Sequence, residues 1–176
     1  MLRVGTVGTS SIMRTIQGAI RLTDGMECRV VYSRTEEQGR AFAAEMGVPE
    51  HCTDYAAMLE RSDLDLIDIA SPNRFHVEQA LAALEHGKHV IVEKPAAVTR
   101  GDVQRLIDAA RANGVYFFEA ITTLFMPQYE ACRLLLPKLG RIEQAHITYA
   151  QYSSRYDAYL RGENPNIFNP AMQAGA

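Results

Sequence analysis

The chain has 176 residues, enough for one domain with a full apolar core and the start of a second. Hydrophobic residues make up 47% and charged residues 22%, and a formal net charge of −3 leaves no electrostatic footprint for nucleic acid or an anionic membrane. No apolar run is long enough to span a bilayer, and the odd, scattered Cys28, Cys52 and Cys132 offer neither a disulfide framework nor a metal knuckle, so a reduced, cytoplasmic protein is expected.

The N-terminus opens directly on a strand, "LRVGTVG" (2–8), with no signal segment before it. A helix over 11–22 places Ile12, Ile16, Ala19 and Ile20 on one face. A second strand, "CRVVYS" (28–33), precedes the helical "EEQGRAFAAEMG", which Gly47 should end. A short helix around 54–61 leads to a third strand, "LDLIDIAS" (64–71). "HVEQALAALEHG" reads as a helix closed by Gly87, and "KHVIVEK" (88–94) as a fourth strand. A helix capped by Thr99 and ended by Gly114 leads to a fifth strand, "VYFFEA" (115–120). Near-continuous apolar strands alternating with amphipathic helices predict an α/β, doubly wound parallel sheet covered on both faces, the Rossmann arrangement, over residues 1–120.

The pattern changes after residue 120. Pro127 opens a helix running to about Leu136, and "RIEQAHITYAQYS" (141–153) alternates like a strand with one covered face. Residues 121–176 therefore read as a linker helix and the incomplete beginning of a second α/β domain.

A dinucleotide loop needs little side chain where the first strand turns into its helix, because the diphosphate must approach backbone N–H groups. In "GTVGTSSIM" Gly8 meets that need, and Thr9, Ser10 and Ile12 complete the expected contact stretch. Ser10 and Met13 replace the second and third glycines; the Ser10 hydroxyl suits a phosphate oxygen, whereas Met13 should hold helix and strand apart. NAD binding usually places an acid after the second strand, but "YSRT" supplies Ser33, Arg34 and Thr35. Arg between two hydroxyls suits a 2′-phosphate, which favours NADP(H) over NAD(H). The competing reading has Arg34 solvated and Glu36 reaching back to the ribose. "SPNRFH" and "EKP" end the third and fourth strands at the carboxyl edge of the sheet, where doubly wound folds place ligands. Asn73 suits either helix capping or a cofactor contact, and His76 either a cofactor contact or a packed neutral imidazole. His86 and His89 lack a third ligand at metal spacing, so no metal site is expected.

Four motifs in this order, "GTVGTSSI", "SPNRFH", "HGKHVIVEKP" and "EAITTLFMP", resemble the Gfo/Idh/MocA family of NAD(P)-dependent oxidoreductases along essentially the whole chain. The resemblance implies a Rossmann domain followed by a C-terminal α/β domain that forms a substrate wall and, in many members, the subunit interface. It carries over Ser71, Pro72, Asn73 and His76 as neighbours of the cofactor, with Glu93, Lys94, Pro95, Glu119 and Ala120 beside the nicotinamide. Lys94 is expected to polarise the substrate oxygen or protonate it as hydride moves, with Glu93 orienting it. Leu124, Phe125 and Met126 stand where the family commonly carries Arg-Phe-His, so the substrate wall is expected to be less polar. Tyr149, Tyr152, Tyr156, Tyr159 and Arg155 are substrate-contact or surface-packing residues.

The implied reaction is hydride transfer between NADP(H), or NAD(H), and a small carbonyl or alcohol substrate, a sugar, polyol or diol. A non-catalytic NAD(P)-binding regulator is the alternative, and a methyltransferase is argued against by "YSRT". Because "FNPAMQAGA" resembles the lead-in to a further family segment, the chain is expected to be truncated, binding cofactor but turning over poorly. A homo-oligomer through the C-terminal domain of the complete protein is expected, with no nucleic-acid or membrane partner.

Overall fold

The computed structural model describes residues 1–153 and 155–173. Its strands are β1 (Leu2–Val7), β2 (Met26–Tyr32), β3 (Glu50–Cys52), β4 (Leu66–Ile69), β5 (His89–Val92) and β6 (Phe117–Glu119). They form one parallel six-stranded sheet in the order β3-β2-β1-β4-β5-β6. The crossovers are α1 (Ser11–Leu22), α2 (Glu36–Met46), α3 (Tyr55–Leu59), α4 (His76–Glu85) and α5 (Arg100–Ala112). The doubly wound Rossmann fold is thus present.

Helical spacing decides which side chains enter the core. On α1, Met13, Gln17 and Ile20 fall on one buried face, four and three residues apart. Thr35 caps α2 by accepting from the Gln38 N–H, and Gly47 ends it as expected, in the left-handed conformation at φ 64°. Thr99 caps α5 by accepting from the Asp102 N–H at 3.1 Å. One face of the sheet packs Val7, Ile67, Ile69 and Val90 against Leu81 and Leu84 of α4 and Leu106 of α5. The other packs Val31 against Met13 of α1 and Phe42 of α2. Met13 is therefore a fully buried core residue on the β2 side of α1, facing Phe42 and Val48 rather than the loop.

Charged pairs pin the amino-terminal edge of the sheet. Arg3 donates two side-chain bonds to Asp65, at 2.6 and 2.9 Å, which hold the Asp65 carboxyl well below the usual range. Arg61 forks between Glu50 and Asp63, tying β3 to the approach to β4. The buried Lys88 ammonium donates to the Arg61 and Leu64 carbonyls at 2.6 and 2.9 Å.

Two expectations need correction. The sheet has a sixth strand, β3, that the sequence pattern does not show. "EHC" is only three residues long and has no apolar alternation, and it is ordered by backbone pairing with Val30–Tyr32. Conversely, residues 141–153 form no strand among the described residues. Strand geometry needs a backbone partner, and no neighbouring segment supplies one, so the alternating Ile147 and Tyr149 face solvent. Beyond β6 lie α6 (Pro127–Leu135), opened by Pro127 as expected, and α7 (Tyr156–Leu160).

Candidate cofactor site

β1 and β4 are neighbours at the centre of the sheet, and the chain leaves them towards opposite flanks. A crevice must open between their carboxyl ends, the switch point where doubly wound sheets hold nucleotides. A cavity of about 250 Å³ lies there, walled by Gly8, Thr9 and Ser10 after β1, Ser33 and Arg34 after β2, and Ser71 and Pro72 after β4.

Gly8 is required by the close approach of these loops. Its φ is 112°, and a Cβ would sit 2.8 Å from the Ala70 carbonyl oxygen. Ser10 is the N-cap residue of α1 but its hydroxyl makes no capping bond, and the first turn contains no acid. The hydroxyl and the first-turn N–H groups are thus free for an anion.

The end of β2 separates the two readings of the ribose site. The Glu36 carboxylate is 2.7 Å from His51 Nε2, a bond that lowers its pKa, so it is turned to β3 rather than back to the crevice. Arg34 makes no hydrogen bond or ion pair among the described residues and lines the cavity. Thr35 spends its hydroxyl on the α2 cap and does not line the cavity. Val7, Tyr32, Gln38, Ala70, Phe75 and Gln79 complete the lining, and the sequence pattern did not point to them. Gln38 and Gln79 fall one helical turn inside α2 and α4, a signal that first-turn polar residues carry only once the sheet order is known.

Two further cavities adjoin the first. One, of about 380 Å³, runs from Ser10, Ser11 and Ile12 past Asn73 and His76 to Glu93 and Lys94. The other, about 870 Å³, lies between Asn73, Lys94 and Pro95 on one side and Gln151, Tyr152 and Arg155 on the other. Asn73 is not a helix cap. A 3₁₀ turn over Asn73–Phe75 intervenes before α4, whose N-cap residue is Phe75. The Asn73 amide instead donates to the Gln173 carbonyl at 3.0 Å.

His76 is a packed brace that also forms part of the middle cavity wall. Its ring nitrogens lie 2.8 Å from the Ser71 carbonyl and 2.9 Å from the Pro95 carbonyl, joining the loops after β4 and β5. The Glu93 carboxylate accepts from the Lys94 backbone N–H at 3.2 Å, not from its ammonium. Glu119 accepts from the Ala96 N–H at 2.8 Å, so it supports the turn after Pro95; neither it nor Ala120 lines these cavities.

A buried polar group on the central strand β4 carries no signal in the motif pattern. Asp68 on β4 is 6% exposed, and its Oδ1 has no hydrogen-bond partner among the described residues. Burial, with a smaller contribution from Glu93, pushes its pKa up to about 7. Among the described residues no cluster of three His, Cys, Asp or Glu side chains could hold a metal, and no helix is long and apolar enough to cross a membrane.

The profile of an oxidoreductase family with an NAD-binding Rossmann fold, Gfo/Idh/MocA, matches residues 2–121. Similar proteins include the uncharacterized oxidoreductase YgjR of Escherichia coli (strain K12), 40% identical over 176 residues, all of this chain and 54% of that protein. Another is scyllo-inositol 2-dehydrogenase (NADP(+)) IolU of Bacillus subtilis (strain 168), 37% identical across all of this chain and 54% of its own length. Among solved structures, KijD10, a 3-ketoreductase from Actinomadura kijaniata in complex with NADP, superposes with a TM-score of 0.73 at 30% identity, covering 78% of this chain and 44% of that one. The chain belongs to the Gfo/Idh/MocA oxidoreductase family and carries its NAD(P)-binding fold. It spans about half the length of the curated relatives it matches.

Proposed function

We propose that this chain is the cofactor-binding half of an NADP(H)-dependent oxidoreductase that moves hydride between the nicotinamide and a carbonyl or alcohol of a sugar, polyol or diol. The observation that carries the cofactor choice is the division of labour after β2. Glu36 is committed to His51, while Arg34 has no partner among the described residues and stands with Ser33 on the cavity wall. A guanidinium there recognises a 2′-phosphate through charge-assisted bonds, and no carboxylate among the described residues lines the cavity. The relatives named for NADP point the same way.

Within this reading Gly8, Thr9 and Ser10 pass the cofactor's diphosphate along the N-terminus of α1, where the free hydroxyl and N–H groups are. Ser71, Pro72 and Asn73 flank its nicotinamide half. The Lys94 ammonium, exposed on the cleft wall, donates to the substrate oxygen as negative charge develops there. The cofactor supplies the hydride when bound; the protein orients it and handles the proton. Residues 121–176 begin a substrate and oligomerisation domain, with Arg155 and Tyr152 lining the cleft across from Lys94.

Adenosine 2′-monophosphate should bind at least about tenfold more tightly than adenosine, the equivalent of about 1.4 kcal/mol. Equal affinity, measured by calorimetry, contradicts the 2′-phosphate site. Lys94→Met should keep NADPH affinity while lowering any ketone or inosose reduction by about 10²- to 10⁴-fold. An unchanged rate would remove Lys94 from the chemistry.

A further inference from the structure

The loop after β1 brings no cation to the diphosphate that the proposed function places there. The helical candidate, Arg14, is bound to Glu45 at 2.7 and 2.9 Å and reaches the loop only at the Thr9 carbonyl, 3.4 Å away. Arg34 lines the first cavity but neither of the other two, so it belongs to the ribose end. Lys94 lines both of the other cavities, beside Glu93 in the smaller one, and is already assigned to the substrate oxygen.

One further cation reaches the start of α1. Arg155, carried by the segment beyond the sheet, lines both the middle cavity, with Ser10 and Ser11, and the larger cleft. Its guanidinium makes no ion pair among the described residues. The nearby Asp157 carboxylate is instead occupied by the Tyr152 hydroxyl, which donates to it at 2.6 Å. The segment is also anchored. Tyr152, Tyr156, Tyr159 and Phe168 form a continuous series of ring contacts with centroids 4.9–6.3 Å apart. At its far end, the Gln173 carbonyl accepts from the Asn73 amide on the β4 loop.

We propose that Arg155 closes over the N-terminus of α1 and binds the diphosphate of the dinucleotide, supplying the positive charge that the glycine-poor loop lacks. The proposal rests on the NADP(H) reading above. A guanidinium fork matches two phosphate oxygens, and the α1 N–H groups and the Ser10 hydroxyl complete a neutralising shell around the two charges. The cofactor would thereby order the segment beyond the sheet, since Arg155 and the loop would share one ligand.

The test titrates the 176-residue chain with NADPH, NADH, ADP-ribose and adenosine 2′-monophosphate, in wild type, Arg155→Ala, Arg155→Gln and Arg34→Ala. Both Arg155 variants should weaken NADPH, NADH and ADP-ribose by about tenfold, and Arg155→Lys should restore part of the loss. Adenosine 2′-monophosphate, which has no diphosphate, should bind them as it binds wild type, which also reports that they are folded. Unchanged ADP-ribose affinity in the Arg155 variants overturns the clamp, and so does an equal loss of adenosine 2′-monophosphate. If instead Arg34→Ala leaves the NADPH-to-NADH ratio unchanged while Arg155→Ala weakens ADP-ribose, the 2′-phosphate reading fails and the clamp stands. Failure of wild type to bind any of the dinucleotide ligands overturns both.

Discussion

Gly8 and Asp68 show how single positions in this sheet are set by what lies next to them. Any side chain at Gly8 meets the Ala70 carbonyl at 2.8 Å and is also strained by a φ of 112°. Gly8→Ala should therefore cost about 1–3 kcal/mol of stability and lower NADPH affinity by more than about tenfold. Wild-type values in chemical denaturation and calorimetry would contradict it. Asp68 makes a pH-dependent prediction. Its pKa is raised to about 7 in the folded protein, above an ordinary carboxylate near 4. Between those values the folded state holds the proton more tightly than the unfolded chain, so this group's contribution favours folding at low pH and is lost as pH rises to about 7. Asp68→Asn, which cannot ionise, should raise the melting temperature at pH 8 relative to wild type, by an amount that shrinks towards pH 5. A difference independent of pH would mean that Asp68 is not the titrating group.

Elements differ in how far their own residues specify them. Helix α5 is fixed locally by Thr99, whose hydroxyl accepts from the Asp102 N–H. Thr99→Ala should destabilise the chain by about 1 kcal/mol, and no change in denaturation midpoint would show that packing alone sets this end. β1, β2, β4 and β5 were legible because their apolar runs are long enough to show the period of a buried strand. β3 was not, since its order comes from Val30–Tyr32 rather than from "EHC". The segment 141–153 carries a strand's alternation but has no partner among the described residues, so the pattern alone does not make it a strand. The candidate site was legible where backbone geometry makes a demand, at Gly8, Ser10, Ser71 and Pro72. It was less so where a side chain had alternatives: Asn73 bonds Gln173 instead of capping α4, and Glu119 supports Ala96. Gln38 and Gln79 became visible only when the sheet order brought α2 and α4 to the same crevice.

The whole molecule joins a well-covered sheet to a thinly covered second part. Leu134, Leu135 and Leu139 are at least half exposed, Ile147 is 93% exposed, and Phe118 of β6 is 54% exposed. That much apolar surface favours association. Sedimentation of the chain should show species larger than a monomer that diminish on dilution; a strictly monomeric chain at high concentration would contradict this. The family and the fold give an NAD(P)-binding chain, and the central proposal added to them is that the cofactor is NADP(H) with its 2′-phosphate on Arg34. Calorimetric titration with NADPH and NADH, repeated on Arg34→Ala, tests it most directly. The account predicts at least about tenfold preference for NADPH in wild type and loss of that preference in the variant. Equal affinity for the two cofactors, or a preference that survives Arg34→Ala, would contradict it.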